Sequence, residues 1–333
     1  MKRHALRFES GRHGGFTLIE LMVSITIGLL VSVSVIAAYL GSSASAKVAD
    51  AQMRMNEDAQ AALTILAQQL RMAGSNPPQA GRTEKSRFNP VYRPYPSGSA
   101  SYSTDPASYS LSAFTIRGCD GTFTNLPTAV GLDDLQCASG TNALPDSIAV
   151  SYEADPFNTV PTTGGLPADC VGVALKPIVA TFSAESTPGP YTYYVADSRF
   201  YIGPSGSMAA PTLFCKGGIN STAQPLVENI EDLQFRYGAV ALAALPGDVR
   251  SANVAGYLSA NDTNGLTGTP NDAVPWQKVV AVQVCVLVRS EGQVLSDSAS
   301  TSYIDCGGTS TTASDHRLRR AFYATVVLRN RRT

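Results

Sequence analysis

Apolar residues are distributed in three regimes along the chain. From Phe16 to Leu40 they run almost unbroken, and these 25 residues carry a single charge, Glu20. That exceeds the ~20 apolar residues a helix needs to cross the hydrocarbon core of a bilayer. After a small-residue stretch from Gly41 to Ala46, Val48, Met55, Ala59, Ala62, Leu66 and Leu70 recur at helical steps, the pattern of a helix with one buried face. Asp50, Arg54, Asp58, Gln60 and Gln68 occupy its other sides. Ala, Gln, Met, Leu and Arg favour the helix. Gly74 suits a C-cap, and Pro77-Pro78 bar continuation. The pattern predicts one helix from Phe16 to about Ala73, roughly 87 Å long. Its first half is apolar on every side, so it calls for lipid or a bundle of like helices. Its second half is amphipathic and should dock on a globular head.

The third regime is a loop-rich body with short alternating runs. Residues 75–110 are rich in Pro, Ser, Gly and Tyr and read as an irregular surface segment. β-like runs follow at Ser112–Arg117, Ser147–Tyr152, Tyr191–Val195 with Arg199–Ile202, Leu233–Tyr237, Val279–Val288 and Ala321–Leu328, separated by Gly, Pro, Asn and Asp clusters. In Val279–Val288, the valines at 280, 282, 284, 286 and 288 share one face; Val279, Ala281, Cys285 and Leu287 share the other. This run should be a central strand buried on both sides. Insertions at 154–190 and 246–275 read as loops or small hairpins.

The N-terminal fifteen residues carry Lys2, Arg3, Arg7 and Arg12 against one acid, Glu9, and end in Gly14-Gly15 before Phe16-Thr17-Leu18-Ile19-Glu20. A secretory signal would place its small residues after a shorter apolar core. A plain anchor explains the length and the basic cytoplasmic flank. It does not explain a carboxylate inside the apolar run, which costs ~2.5–3.5 kcal/mol on insertion scales and calls for a function. Gly15-Phe16-Thr17-Leu18-Ile19-Glu20 resembles the prepilin peptidase motif of type IV pilins and type II secretion pseudopilins. The resemblance implies cleavage between Gly15 and Phe16 and N-methylation of Phe16. It also implies that Glu20 meets the amino terminus of a neighbouring subunit, because two opposite buried charges offset a desolvation that neither bears alone. Many major pilins carry a proline midway along this helix; here there is only Gly28.

A second resemblance lies in the C-terminal half. Leu226-Val227-Glu228-Asn229-Ile230-Glu231-Asp232-Leu233-Gln234-Phe235-Arg236-Tyr237-Gly238 is similar to a segment of the PilW family of minor pilins, as are the Val279–Arg289 strand and the ending from Arg319-Arg320-Ala321-Phe322 to Leu328-Arg329-Asn330. The J-type pseudopilins share a related plan. The fold implied is α+β: a long N-terminal pilin helix, its first half membrane-spanning, packed on an antiparallel β-sheet head with long loops. The organisation implied is a cleaved leader at 1–15, a transmembrane and filament-core helix at 16–40, its amphipathic half at 41–74, and a periplasmic or extracellular head at 75–333. The role implied is a minor pilin that primes assembly and caps the pilus. Its partners would be the prepilin peptidase, the major pilin and other minor pilins. It would start in the bacterial inner membrane with its N-terminus cytoplasmic and its head periplasmic, and then reach the pilus surface. A head of roughly 260 residues is bulky for a repeating shaft, which suits a tip position in few copies.

Composition narrows the chemistry. Charged residues make up 15% of the chain and the formal net charge is −1, below the Lys/Arg excess of a general nucleic-acid binder. The six cysteines, Cys119, Cys137, Cys170, Cys215, Cys285 and Cys306, are even in number, dispersed and free of CxxC pairs. That pattern fits disulfides in an oxidising compartment better than zinc. Spacing leaves the connectivity open; sequential pairing is preferred because each bridge closes a local loop. Of three histidines, His4 and His13 lie in the leader, so only His316 would remain.

Phosphate-loop, GxSxG, HExxH and SxxK patterns are absent, and neither enzymatic activity, a cofactor nor a metal is expected. Asn261-Asp262-Thr263-Asn264-Gly265 faintly resembles a calcium loop but lacks its distal glutamate, and reads better as a polar turn. Arg317, Arg319, Arg320, Arg329, Arg331 and Arg332 form a basic cluster. It offers a contact for DNA or an acidic subunit, or a charged guard on a strand edge. The tyrosines of 92–109 suit an adhesive surface or packing on the sheet. Three functions compete: a pilus-assembly subunit, a tip adhesin or DNA-binding module, and a J-type pseudopilin of type II secretion.

Overall fold

One helix, α1 (Leu18–Met72), opens the computed structural model, which describes residues 15–75, 114–129, 131–138, 144–181, 190–205, 210–218, 221–240, 254–266, 274–295 and 302–330. The leader through residue 14, Pro77-Pro78, Ser112, the tyrosines of 92–109, Arg331 and Arg332 lie outside the described residues. The chain divides into two compact units, Met1–Asp50 and Ala51–Thr333. In the first, α1 exposes every apolar side chain from Leu18 to Leu40.

In the second unit the elements follow in the order β1 (Ile116–Cys119), β2 (Ser147–Ala154), β3 (Ile178–Thr181), β4 (Pro190–Ser205), β5 (Ala210–Lys216), β6 (Gln224–Glu228), β7 (Ile230–Ala239), β8 (Gly256–Leu258), α2 (Ala260–Gly265), α3 (Val274–Gln277), β9 (Val279–Arg289), β10 (Ser302–Ile304), β11 (Ser310–Thr312) and β12 (Arg319–Val327). The strands make two antiparallel sheets and a hairpin. The first sheet runs β1-β2-β4-β5-β6 with β3 also on β4, the second runs β12-β9-β7-β8, and β10 pairs with β11. The fold is therefore α+β, a long helix on antiparallel sheet, with the sheet divided in two.

Met55, Ala59, Ala62, Leu66 and Leu70, one face of α1, are buried in the same cluster as Ile148 and Val150 of β2, Leu233 and Phe235 of β7, and Val282, Val284, Val286 and Val288 of β9. β9 is central, flanked by β12 and β7. Ala281, Cys285 and Leu287 on its other face are buried too, whereas Gln283 is exposed. α1 ends at Gly74, whose φ of +69° only glycine adopts without strain. The Gly74 amide donates to the Ser151 carbonyl at 2.9 Å, and the Glu153 amide donates to the Ser75 carbonyl at 2.9 Å, which ties the helix end to β2.

Three disulfides join Cys119 to Cys137, Cys170 to Cys215 and Cys285 to Cys306. The last fastens the β10–β11 hairpin to β9. The runs at 191–195 and 199–202 are one strand, β4, because Ala196 and Ser198 between them are buried and paired with β2. β1 begins later than the run at 112–117 suggests. The 154–190 insertion contains β3, and the 246–275 insertion contains β8 and α2. β5 and β6 went unpredicted because Pro211 and Pro225 punctuate them; β6 accommodates Pro225 as the edge strand of its sheet.

Candidate assembly site

The N-terminus of α1 is a capping box built from Thr17 and Glu20. The Glu20 amide donates to Thr17 Oγ1 at 3.3 Å. In return Glu20 Oε2 accepts the Thr17 amide and the Thr17 hydroxyl, each at 3.0 Å. The Leu21 amide closes the first turn onto the Thr17 carbonyl at 3.2 Å. The carboxylate that would otherwise be an isolated charge in the apolar run thus satisfies the Thr17 amide, and the Thr17 hydroxyl satisfies that of Glu20. The sequence reading pairs Glu20 with a neighbouring subunit's amino terminus and gives it no partner within its own chain. The T-x-x-E signal was present and went unused.

Around this box the surface is bare. Phe16 is 87% exposed and Leu18 78%. A Cβ built on Gly15 or Gly28 would have nothing within 4 Å. The hydroxyls within the apolar run are self-satisfied: Ser24 donates to the Glu20 carbonyl at 2.6 Å, and Thr26, Ser32 and Ser34 donate to the carbonyls of Val23, Gly28 and Leu30 at 2.8 Å. Such a helix can lie in lipid or among apolar neighbours without seeking polar partners. It is long and apolar enough to cross a membrane.

The other candidates in the head take structural roles. The guanidinium of Arg319 is held by two carboxylates. Its Nε and Nη2 donate to Glu231 at 2.5 and 2.9 Å, and its Nη1 and Nη2 donate to Asp315 at 2.7 Å. This pairing holds the Asp315 carboxyl down at about 2. Arg317 donates to the carbonyls of Ser290 and Glu291, and Arg320 lies over the Phe322 ring. Of the C-terminal arginines among the described residues, Arg317 and Arg319 are tied to the head, while Arg320 and Arg329 are exposed at or beyond the edge strand β12. The 261–265 segment is also corrected: it lies in the helix α2, capped by Ser259 and Asp262, and Asp120 accepts the amides of Ala260 and Asn261 at 2.8 and 2.9 Å. Sequence reasoning had singled out neither Asp120 nor Asp146.

Two family profiles match the chain. One, described as a prokaryotic N-terminal methylation motif, covers residues 11–36 and encloses Gly15, Phe16 and Glu20. The other, described as type IV pilus-assembly protein W, covers residues 192–330, from within β4 to just beyond β12. Among solved structures, a type IV-like pilin from Thermus thermophilus aligns with 57% of this chain and 81% of its own, at 14% identity and a TM-score of 0.24. No curated protein matches. The chain thus carries a match to a prokaryotic N-terminal methylation motif at one end and a match to the PilW family over its C-terminal part, neither of which covers half of it.

Proposed function

We propose that the protein is a minor type IV pilin of the PilW kind, which helps to prime pilus assembly and caps the fibre. The carrying observation is the bare, lipid-length apolar stretch of α1 with a lone carboxylate, Glu20, inside the segment matched by the methylation motif. In this reading residues 1–15 are a leader removed by the prepilin peptidase, and Phe16 becomes the N-methylated first residue. Residues 16–40 sit in the inner membrane before entering the filament core, 41–74 carry the head, and 75–333 form it on the periplasmic side. Glu20 then accepts the new ammonium of a neighbouring subunit, a pairing that sets axial register and offsets the cost of burying either charge. The capping box aims the carboxylate toward the end of the helix at which the new terminus is created.

The match to the pilus-assembly family over 192–330 favours the pilus over type II secretion. The pairing of Arg317 and Arg319 within the head takes two arginines out of a DNA-binding reading. The test is a strain lacking the peptidase together with a Glu20→Gln variant. The peptidase-null strain should accumulate a longer precursor, and Glu20→Gln should be processed yet fail to restore piliation to a strain lacking the protein. A mature chain beginning at Phe16 without the peptidase would refute the processing step. Full piliation by Glu20→Gln would refute the assembly step.

A further inference from the structure

β12 is an open edge of its sheet: β9 lies on one side, and among the described residues no strand pairs with the other. The Leu328 amide donates to the Val280 carbonyl and the Ser290 amide to the Leu318 carbonyl, each at 2.8 Å. The register between these two bonds is unbroken. Antiparallel partners alternate between bonded and unbonded pairs, so the even-numbered residues of β12 carry the bonds to β9. Arg319, Ala321, Tyr323, Thr325 and Val327 therefore point their amides and carbonyls away from the sheet.

The outer strands elsewhere are protected. β3, β8 and both strands of the hairpin are three or four residues long. β6 contains Pro225 and meets β5 through a register shift, and β1 is buried throughout. Short length, proline, bulges and cover are the usual defences of an edge against pairing. β12 is nine residues long, about 30 Å, and from Ala321 to Leu328 it contains no proline and no charge. Tyr323 is 62% exposed and Val327 57%, and Ile304 of the nearby hairpin is 54% exposed. The hairpin is drawn toward Tyr323 by the Cys285–Cys306 bond and by the Tyr323 hydroxyl, which donates to the Asp305 carbonyl at 3.3 Å. Its strands pair only with each other, so it adds no strand to β12.

Charge selects the occupant. Two exposed arginines, Arg320 and Arg329, stand at the ends of the uncharged stretch, whereas Arg319 is already matched by Glu231 and Asp315. A second copy laid antiparallel about Tyr323 would set Arg329 of each chain opposite Arg317 of the other, like charge against like. An extended strand with an uncharged centre and an acid at each end instead satisfies both the open amides and the two arginines. We propose that β12 takes such a strand from a partner protein, adding it to the sheet by backbone pairing, with Arg320 and Arg329 holding its acidic ends.

This pairing requires neither leader cleavage nor the Glu20 contact, so the purified full chain in detergent micelles serves as the sample. The probe is a fluorescent peptide of roughly ten residues, the length of the stretch from Arg320 to Arg329. It alternates valine and threonine, ends in glutamate on both sides, and is N-methylated on alternate amides so that it pairs along one edge and does not stack on itself. It should bind about tenfold tighter than the same peptide ending in lysine, and Arg320→Glu with Arg329→Glu should reverse that preference. On binding, the amides of Ala321, Tyr323, Thr325 and Val327 should gain protection from hydrogen exchange, while those of Phe322, Ala324 and Val326, already bonded to β9, should not change. Thr325→Pro removes an open amide but no bond to β9; with an unchanged circular dichroism spectrum, it should lower binding by about tenfold or more. No binding of the glutamate-ended probe, equal binding of both probes, or binding without the alternating protection would overturn the proposal. So would protection of the odd-numbered amides in the chain alone that rises with its concentration, which marks a second copy as the occupant.

Discussion

The carboxylate of Asp146, at the threshold of β2, accepts the backbone amide of Phe235 in β7 at 2.8 Å. Its other oxygen accepts the Gly121 amide at 3.2 Å, and its own amide donates to the Leu233 carbonyl at 2.7 Å. Asp146 therefore joins the two sheets, at a point that is 4% exposed. Burial raises its carboxyl to about 7 despite the two amide bonds, with Asp120 and Asp232 adding repulsion. The unfolded chain gives up this proton near pH 4. Between about pH 4 and pH 7 the folded state then holds a proton that the unfolded state has lost, so the stabilisation is complete below that window and disappears as pH rises through it. Asp146→Asn does not titrate. Its melting temperature relative to wild type should therefore rise from pH 4 to pH 8, and parallel pH profiles would show that Asp146 stays ionised throughout.

Tyr237 presents the opposite case, a buried polar atom without a function. Its ring packs edge-on to Trp276 at 4.8 Å between centroids, and its buried hydroxyl has no hydrogen-bond partner among the described residues. A Cβ on Gly118 would lie 1.8 Å from that hydroxyl oxygen, so β1 approaches only because position 118 lacks a side chain. Tyr237→Phe should leave stability unchanged or raise it by about 1 kcal/mol, since an unsatisfied buried group is removed. Gly118→Ala should destabilise by about 1–3 kcal/mol, and Tyr237→Phe should recover part of that loss. Urea unfolding of the two single variants and the double variant measures all three values, and strict additivity would argue against the clash.

What could be read beforehand was the local part of the fold. The helical spacing from Met55 to Leu70 marks the buried face of α1, Gly74 marks its end, and the alternating valines of β9 mark the core strand. These features depend on period and backbone preference, which neighbouring residues carry. The partnerships of Arg319 with Glu231 and of Asp146 with Phe235 span 88 and 89 positions. No short-range pattern encodes them, so the sequence alone does not show that Arg319 is held by Glu231. The candidate site divides in the same way: Gly15, Phe16 and Glu20 stand out as a motif, while the bond geometry that seats Glu20 on Thr17 needed coordinates.

The Arg319 tie should be a stability element with a distinct acid limit. Its side chain is 6% exposed, while those of Glu231 and Asp315 are 28% and 36%. Removing the arginine leaves two carboxylates half in water, a loss intermediate between surface and buried pairs. Arg319→Ala should cost about 2 kcal/mol at pH 7. Because Asp315 is held at about 2, below its ordinary value, its contribution is present above about pH 4 and is lost as pH falls through 2. The gap between wild type and Arg319→Ala in urea unfolding should therefore narrow at pH 2.5. A constant gap would assign the loss to packing alone.

Thr17 should matter to assembly through Glu20. Thr17→Ala removes the hydroxyl that accepts the Glu20 amide and donates to Glu20 Oε2, an N-cap loss of about 1 kcal/mol. The first turn then frays, and the carboxylate is no longer held at the helix end where a neighbour's ammonium must reach it. Pili recovered by shearing from a strain carrying Thr17→Ala should be reduced, whereas Thr17→Ser, which keeps the oxygen, should be close to wild type. In a Glu20→Ala background the Thr17→Ala change should add little, because the two residues form one unit. Independent, multiplicative losses in the double variant would separate the cap from the assembly contact and leave Glu20 acting without Thr17.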